Sequence, residues 1–127
     1  MSQQKERWVE PDRGQKAPEY TFEAVDAVRS AIWLRFGLCG AGGSGKSYSA
    51  LAIATSLADL LGLGPVYVID SENKSALRYA KSPKNGNGFG FKHVEMKGDY
   101  SPAAYCAAMD FAVGCGAKVI LIDSISH

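Results

Sequence analysis

Ile32, Leu34, Phe36 and Leu38 alternate with other residues, the period of a strand with one face on a core. Beyond a glycine-rich stretch, Leu51, Ala54, Leu57, Ala58 and Leu61 recur at three- and four-residue intervals, a helical stripe that runs to the stop signal Gly62-Leu63-Gly64-Pro65. Pro65-Val66-Tyr67-Val68-Ile69-Asp70 is a nearly continuous apolar run closed by an acid, the pattern of a strand buried on both faces. Residues 71–80 read as a short helix, Lys81 to Gly90 as a glycine-rich basic hairpin or loop, and Phe91 to Met96 as a further strand. Ser101-Pro102 sets a capping hydroxyl before a proline at the first helical position, and that helix should stop near Gly114 or Gly116. Val119-Ile120-Leu121-Ile122-Asp123 closes the series with a second aliphatic strand ending in aspartate. Strands alternating with helices predict an α/β domain with a parallel sheet flanked by helices, whose ligands gather at the carboxyl ends of the strands.

The first 30 residues stand apart. Residues 1 to about 19 are rich in Gln, Lys, Glu, Arg and Pro and read as an extended or disordered arm, with Trp8 as a tail aromatic. Phe22, Val25 and Val28, spaced by three after Thr21, suggest a short helix over residues 20–30. The division is therefore an arm over residues 1–30 and a core over residues 31–127.

At 127 residues the chain has room for one domain. A formal net charge of +1 gives no global attraction to nucleic acid or anionic membrane. Cys39, Cys106 and Cys115 lack metal-like spacing and read as small buried side chains in a reducing compartment. The amino terminus has no apolar signal-peptide core, and Thr55, Ser56 and Asp59 interrupt the longest apolar stretch. The expected location is the cytoplasm, with no membrane partner.

Chemistry enters with Gly40-Ala41-Gly42-Gly43-Ser44-Gly45-Lys46-Ser47, a complete match to the phosphate-binding pattern G-x-x-x-x-G-K-[ST]. Glycines let successive N–H groups turn inward around phosphate oxygens, Lys46 carries a positive charge toward the β- and γ-phosphates, and the Ser47 hydroxyl can ligate magnesium. A flexible turn would explain the glycines alone. The predicted strand before them and helix after them supply the context that the pattern needs. Gly40 to Ser47, with Tyr48 directly after, are thus the cofactor-binding candidates for ATP and Mg2+. Asp123 is the second metal candidate beside Ser47, at the end of an aliphatic strand. Hydrolysis also needs a base for water; Ser124 stands where many ATPases place one, and Glu72, two residues past the strand end at Asp70, is the candidate. Its bland alternative is a surface carboxylate capping the next helix.

The loop, the Asp70-Ser71-Glu72 turn followed by Ser75, Tyr79 and Ala80, and the strand ending Asp123-Ser124 resemble the RecA-like P-loop NTPases. Leu34-Arg35, Gly45-Lys46-Ser47-Tyr48-Ser49-Ala50-Leu51, Tyr100-Ser101-Pro102 and Ile122-Asp123-Ser124-Ile125-Ser126-His127 are similar to the small phage-encoded AAA/RecA-type ATP-binding proteins. The likeness spans about residues 31 to 127. It implies ATP hydrolysis with Lys46 and Glu72 as catalytic residues, Ser124 to His127 near the γ-phosphate, a bacterial host cytoplasm, and service to phage DNA recombination or replication. Partners would then be single-stranded DNA, recombination proteins or further copies of the chain. Family members continue past the Ser-His pair, and their sheets hold a later strand between the loop strand and the Asp123 strand. The resemblance therefore implies an incomplete, N-terminal portion of the core. It also implies no direct pairing of Ile32–Cys39 with Val119–Asp123.

Two other readings stand beside the ATPase. A GTPase or small-molecule kinase shares the loop, although Asp123-Ser124-Ile125-Ser126 lacks the glycine of a GTPase switch. A nucleotide-dependent assembly module would bind without significant hydrolysis. For DNA, Lys74, Arg78, Lys81, Lys84, Lys92 and Lys97 with Tyr79, Phe89 and Phe91 could track a single strand, while a solvated lysine-rich loop accounts for the same residues.

Overall fold

The computed structural model describes residues 6–9, 14, 19–30 and 32–125. By its contacts the chain divides into two units, Met1–Phe36 and Gly37–His127. The first contains an antiparallel pair, β1 (Glu6–Val9) and β2 (Thr21–Ala24), with Trp8 opposite Phe22 and Arg7 opposite Glu23. The helix expected over residues 20–30 is absent. Thr21 and Phe22 favour a strand once a partner exists, and residues 25–30 take no regular form. The expectation for the Trp8 side chain concerns atoms outside the described set.

Residues 32–39 form no strand either. Ile32 is 85% exposed and Leu34 73%. Alternation gives a strand two faces, but only a ladder partner satisfies its N–H and C=O groups, and none is present among the described residues. The expected gap beside this strand therefore does not arise in that form.

The second unit carries the α/β architecture. Helix α1 (Lys46–Leu61) leads to β3 (Val66–Asp70), a 3-10 turn (Ser75–Tyr79), β4 (Phe91–Glu95), α2 (Pro102–Gly114) and β5 (Val119–Asp123). The three strands form one parallel sheet in the order β4-β3-β5. Val66 lies opposite Phe91 and Val119, and Asp70 opposite Glu95 and Asp123, so three acids share one row at the carboxyl edge.

Each face of the sheet buries its own set of side chains, as a parallel sheet demands. Val66 and Val68 pack with Leu51, Ala58 and Ala76, joined by Val119 and Leu121, on the α1 side. Ile69 packs with Met96 and Tyr105, joined by Ile120 and Ile122, on the α2 side. The apolar run of β3 is thus divided residue by residue between two cores. Helix α2 begins as its sequence predicts: the Ser101 hydroxyl accepts the Ala104 N–H at 3.2 Å with Pro102 next. The Ser101 N–H, and then its hydroxyl, hold the Asp99 carboxyl below the ordinary carboxylate range.

The three cysteines contradict expectation, since Cys39, Cys106 and Cys115 are all exposed. Cys106 falls outside the buried stripe of α2, which is set by Tyr105 and Ala112, and Cys115 is the cap just beyond its last turn. Among the described residues no helix is long and apolar enough to cross a membrane.

Candidate functional site

The site grows from the register of the sheet. Side chains of a strand alternate between faces, so Asp123 shares the α1 side with Val119 and Leu121. Ser47 lies in the first turn of α1. Its Oγ donates to Asp123 Oδ2 at 2.7 Å, joining residues 76 positions apart. The two residues singled out for a metal are therefore in direct contact.

The glycine loop ends at Gly45, whose φ of 87° is left-handed backbone that a side chain would strain. Gly45 also occupies the helix N-cap, where it offers no side-chain oxygen, and the first turn contains no acid. The N–H groups of Lys46, Ser47 and Tyr48 precede the first intrahelical bond, which runs from the Ser49 N–H to the Gly45 carbonyl at 2.9 Å. The positive end of α1 is thus left without a protein anion of its own in that turn. Lys46 Nζ donates to the Gly40 carbonyl at 2.6 Å, folding the side chain back over the loop, and the Ser44 N–H reaches the Ala41 carbonyl at 3.2 Å. Gly40, Ala41, Gly42, Gly43 and Ser44 are exposed along with Lys46.

Glu72 enters from the neighbouring strand. Asp70, wholly buried at the end of β3, accepts the Glu72 N–H at 2.9 Å through Oδ1 and the Ala76 N–H at 3.1 Å through Oδ2. That carboxylate therefore shapes the turn carrying Glu72. The Ser71 N–H continues the ladder to the Asp123 carbonyl at 3.0 Å. At its tip, Glu72 Oε1 accepts the Ser124 hydroxyl at 2.8 Å. Glu72 is consequently tied to the residue directly after Asp123, and the peptide between Asp123 and Ser124 is cis.

Tyr48 turns elsewhere. Its ring meets Tyr79 edge-on at 6.3 Å and Phe89 at 5.2 Å between centroids. Phe89 is brought there by a bridge with Ala80, where Gly88 passes so close that a Cβ would lie 2.4 Å from the Ala80 carbonyl oxygen. Among the cations of residues 73–98, Lys74 and Lys97 lie 4.0 and 3.6 Å from Glu95.

Sequence reasoning missed His93, whose Nε2 stands 3.0 Å from Asp70 Oδ2, and the hydroxyls of Ser71 and Tyr105, both of which bond to Ser124. Only Ser71, beside Glu72, carried any local hint. Ser126 and His127 lie outside the described residues.

As a magnesium site, the donors present are a hydroxyl and a carboxylate, both oxygen. No group of three or more His, Cys, Asp or Glu gathers into a metal cluster among the described residues. Mg2+ takes one or two carboxylates with substrate phosphates and water, so this donor set fits it. No family model, curated protein or solved structure matches the chain.

Proposed function

We propose that the chain is a P-loop nucleotide-binding protein of RecA-like type that binds Mg-ATP and hydrolyses it to ADP and phosphate. The observation that carries this reading is the 2.7 Å hydrogen bond between Ser47 and Asp123. A complete phosphate-loop sequence can occur by chance, and an aliphatic strand ending in aspartate is common. Their meeting across 76 positions, serine hydroxyl to carboxylate, is what a shared metal would require of them.

The uncapped start of α1 supports the same reading, because N–H groups without an acceptor at a positive helix end favour a phosphate. Lys46 would exchange its Gly40 carbonyl for phosphate oxygens and neutralise charge as the terminal phosphoryl group departs. Ser47 and Asp123 would hold Mg2+, whose chemistry is charge neutralisation on the phosphates. Glu72 would accept a proton from the attacking water, while the new P–O bond forms and the bond to ADP breaks. Service to phage DNA recombination or replication rests on the resemblance alone. Salt-sensitive retention of single strands on a filter tests it.

Mg-ATP should raise the thermal midpoint of the chain, an effect of about 2.7 kcal/mol at roughly a hundredfold excess over Kd. Lys46→Ala should abolish that shift, and phosphate release should be faster with ATP than GTP. An unmodified chain that melts identically with and without Mg-ATP contradicts the reading.

A further inference from the structure

Glu72 lies outside the helices and strands and is exposed, so its carboxylate has several rotamers open to it unless a partner selects one. Its backbone N–H and its carboxylate each have a partner. Asp70 grips the Glu72 N–H at 2.9 Å, and Ser124 Oγ donates to Glu72 Oε1 at 2.8 Å.

A serine on a loose segment would select little, but Ser124 is fixed by two separate elements, the turn after β3 and helix α2. The Ser71 hydroxyl donates to the Ser124 carbonyl at 2.7 Å and accepts the Ser124 N–H at 3.0 Å. From α2, the Tyr105 hydroxyl donates to that same carbonyl at 2.7 Å. Ser71 is 3% exposed and Tyr105 9%, so both anchors are shielded from competing water. Buried hydroxyls that only satisfied one another would leave the Ser124 side chain free to face solvent. Here it ends on a carboxylate instead.

We propose that Ser124 is a positioning residue for Glu72, fixed in turn by Ser71 and Tyr105. Its hydroxyl occupies Oε1 and leaves Oε2 as the oxygen that takes the proton from water. The inference rests on the hydrolase reading, and it assigns Ser124 a part in the chemical step and none in nucleotide affinity.

The test compares the full chain with Ser124→Ala, Ser124→Thr, Glu72→Gln and the Glu72→Gln/Ser124→Ala pair, measuring ATP turnover and the Mg-ATP thermal shift of each. Ser124→Ala should lower kcat roughly 10- to 100-fold, the scale of a misplaced catalytic group, with KM and the thermal shift unchanged. Ser124→Thr should recover most of the rate, since it keeps the hydroxyl. In the Glu72→Gln background, Ser124→Ala should cost nothing further, because residues acting as a unit are not additive. Wild-type kcat in Ser124→Ala beside a dead Glu72→Gln overturns the positioning role and leaves the hydrolase reading standing. Loss of rate together with the thermal shift, without rescue by threonine, also overturns it in favour of a structural role. An unmodified chain without ATP turnover overturns both.

Discussion

Asp70 has no exposed surface, yet it accepts the N–H of Glu72 and of Ala76 and faces His93 Nε2 at 3.0 Å. A buried carboxylate is costly unless such donors meet it, and here both oxygens are engaged. Removing it strands a buried N–H at Ala76 and releases the turn that carries Glu72. Asp70→Ala should therefore destabilise the chain by about 3 kcal/mol in urea unfolding. His93→Ala should cost less, because the two backbone donors remain. Equal losses for the two variants would place the weight on the His93 contact and contradict this ordering.

Elements that announced themselves did so through local signals. Helix α2 starts at Pro102 because Ser101 offers its hydroxyl to the Ala104 N–H, and Ser101→Ala should lower stability by about 1 kcal/mol in the same urea assay. A loss close to zero would mean that packing alone fixes the helix start. Strands β3 and β5 were legible for a related reason, since an aliphatic run closed by an acid needs burial on both faces. Elements that need a distant partner were not legible. Phe22, Val25 and Val28 have helical spacing, but pairing with Glu6–Val9 makes Thr21–Ala24 a strand. Ile32 to Leu38 has strand spacing without a ladder. The candidate site divides likewise: the glycine loop, Ser47 and Asp123 stood out by local pattern, whereas Tyr105 reaches Ser124 across 19 positions and His93 reaches Asp70 across 23. Nothing near either residue in sequence points to those contacts.

At the scale of the molecule, the two units meet in sequence between Phe36 and Gly37. Arg29 and Arg35 precede that boundary, are exposed, and belong to no helix or strand. Brief trypsin treatment should cut after these two before it cuts at Lys92 in β4 or Lys46 in α1. Initial cleavage inside the parallel sheet would contradict that order.

The contact between Ser47 and Asp123 has a kinetic side as well. Closing 76 residues of chain is slow relative to forming a helix, so the contact between the serine and the carboxylate comes later than the turns of α1 themselves. A nucleotide that needs both groups recognises the finished arrangement and not its precursors. On the proposed nucleotide-binding reading, saturating Mg-ATP in a chevron experiment should leave the refolding limb where it is and slow the unfolding limb, prolonging the life of the native state without hastening its arrival.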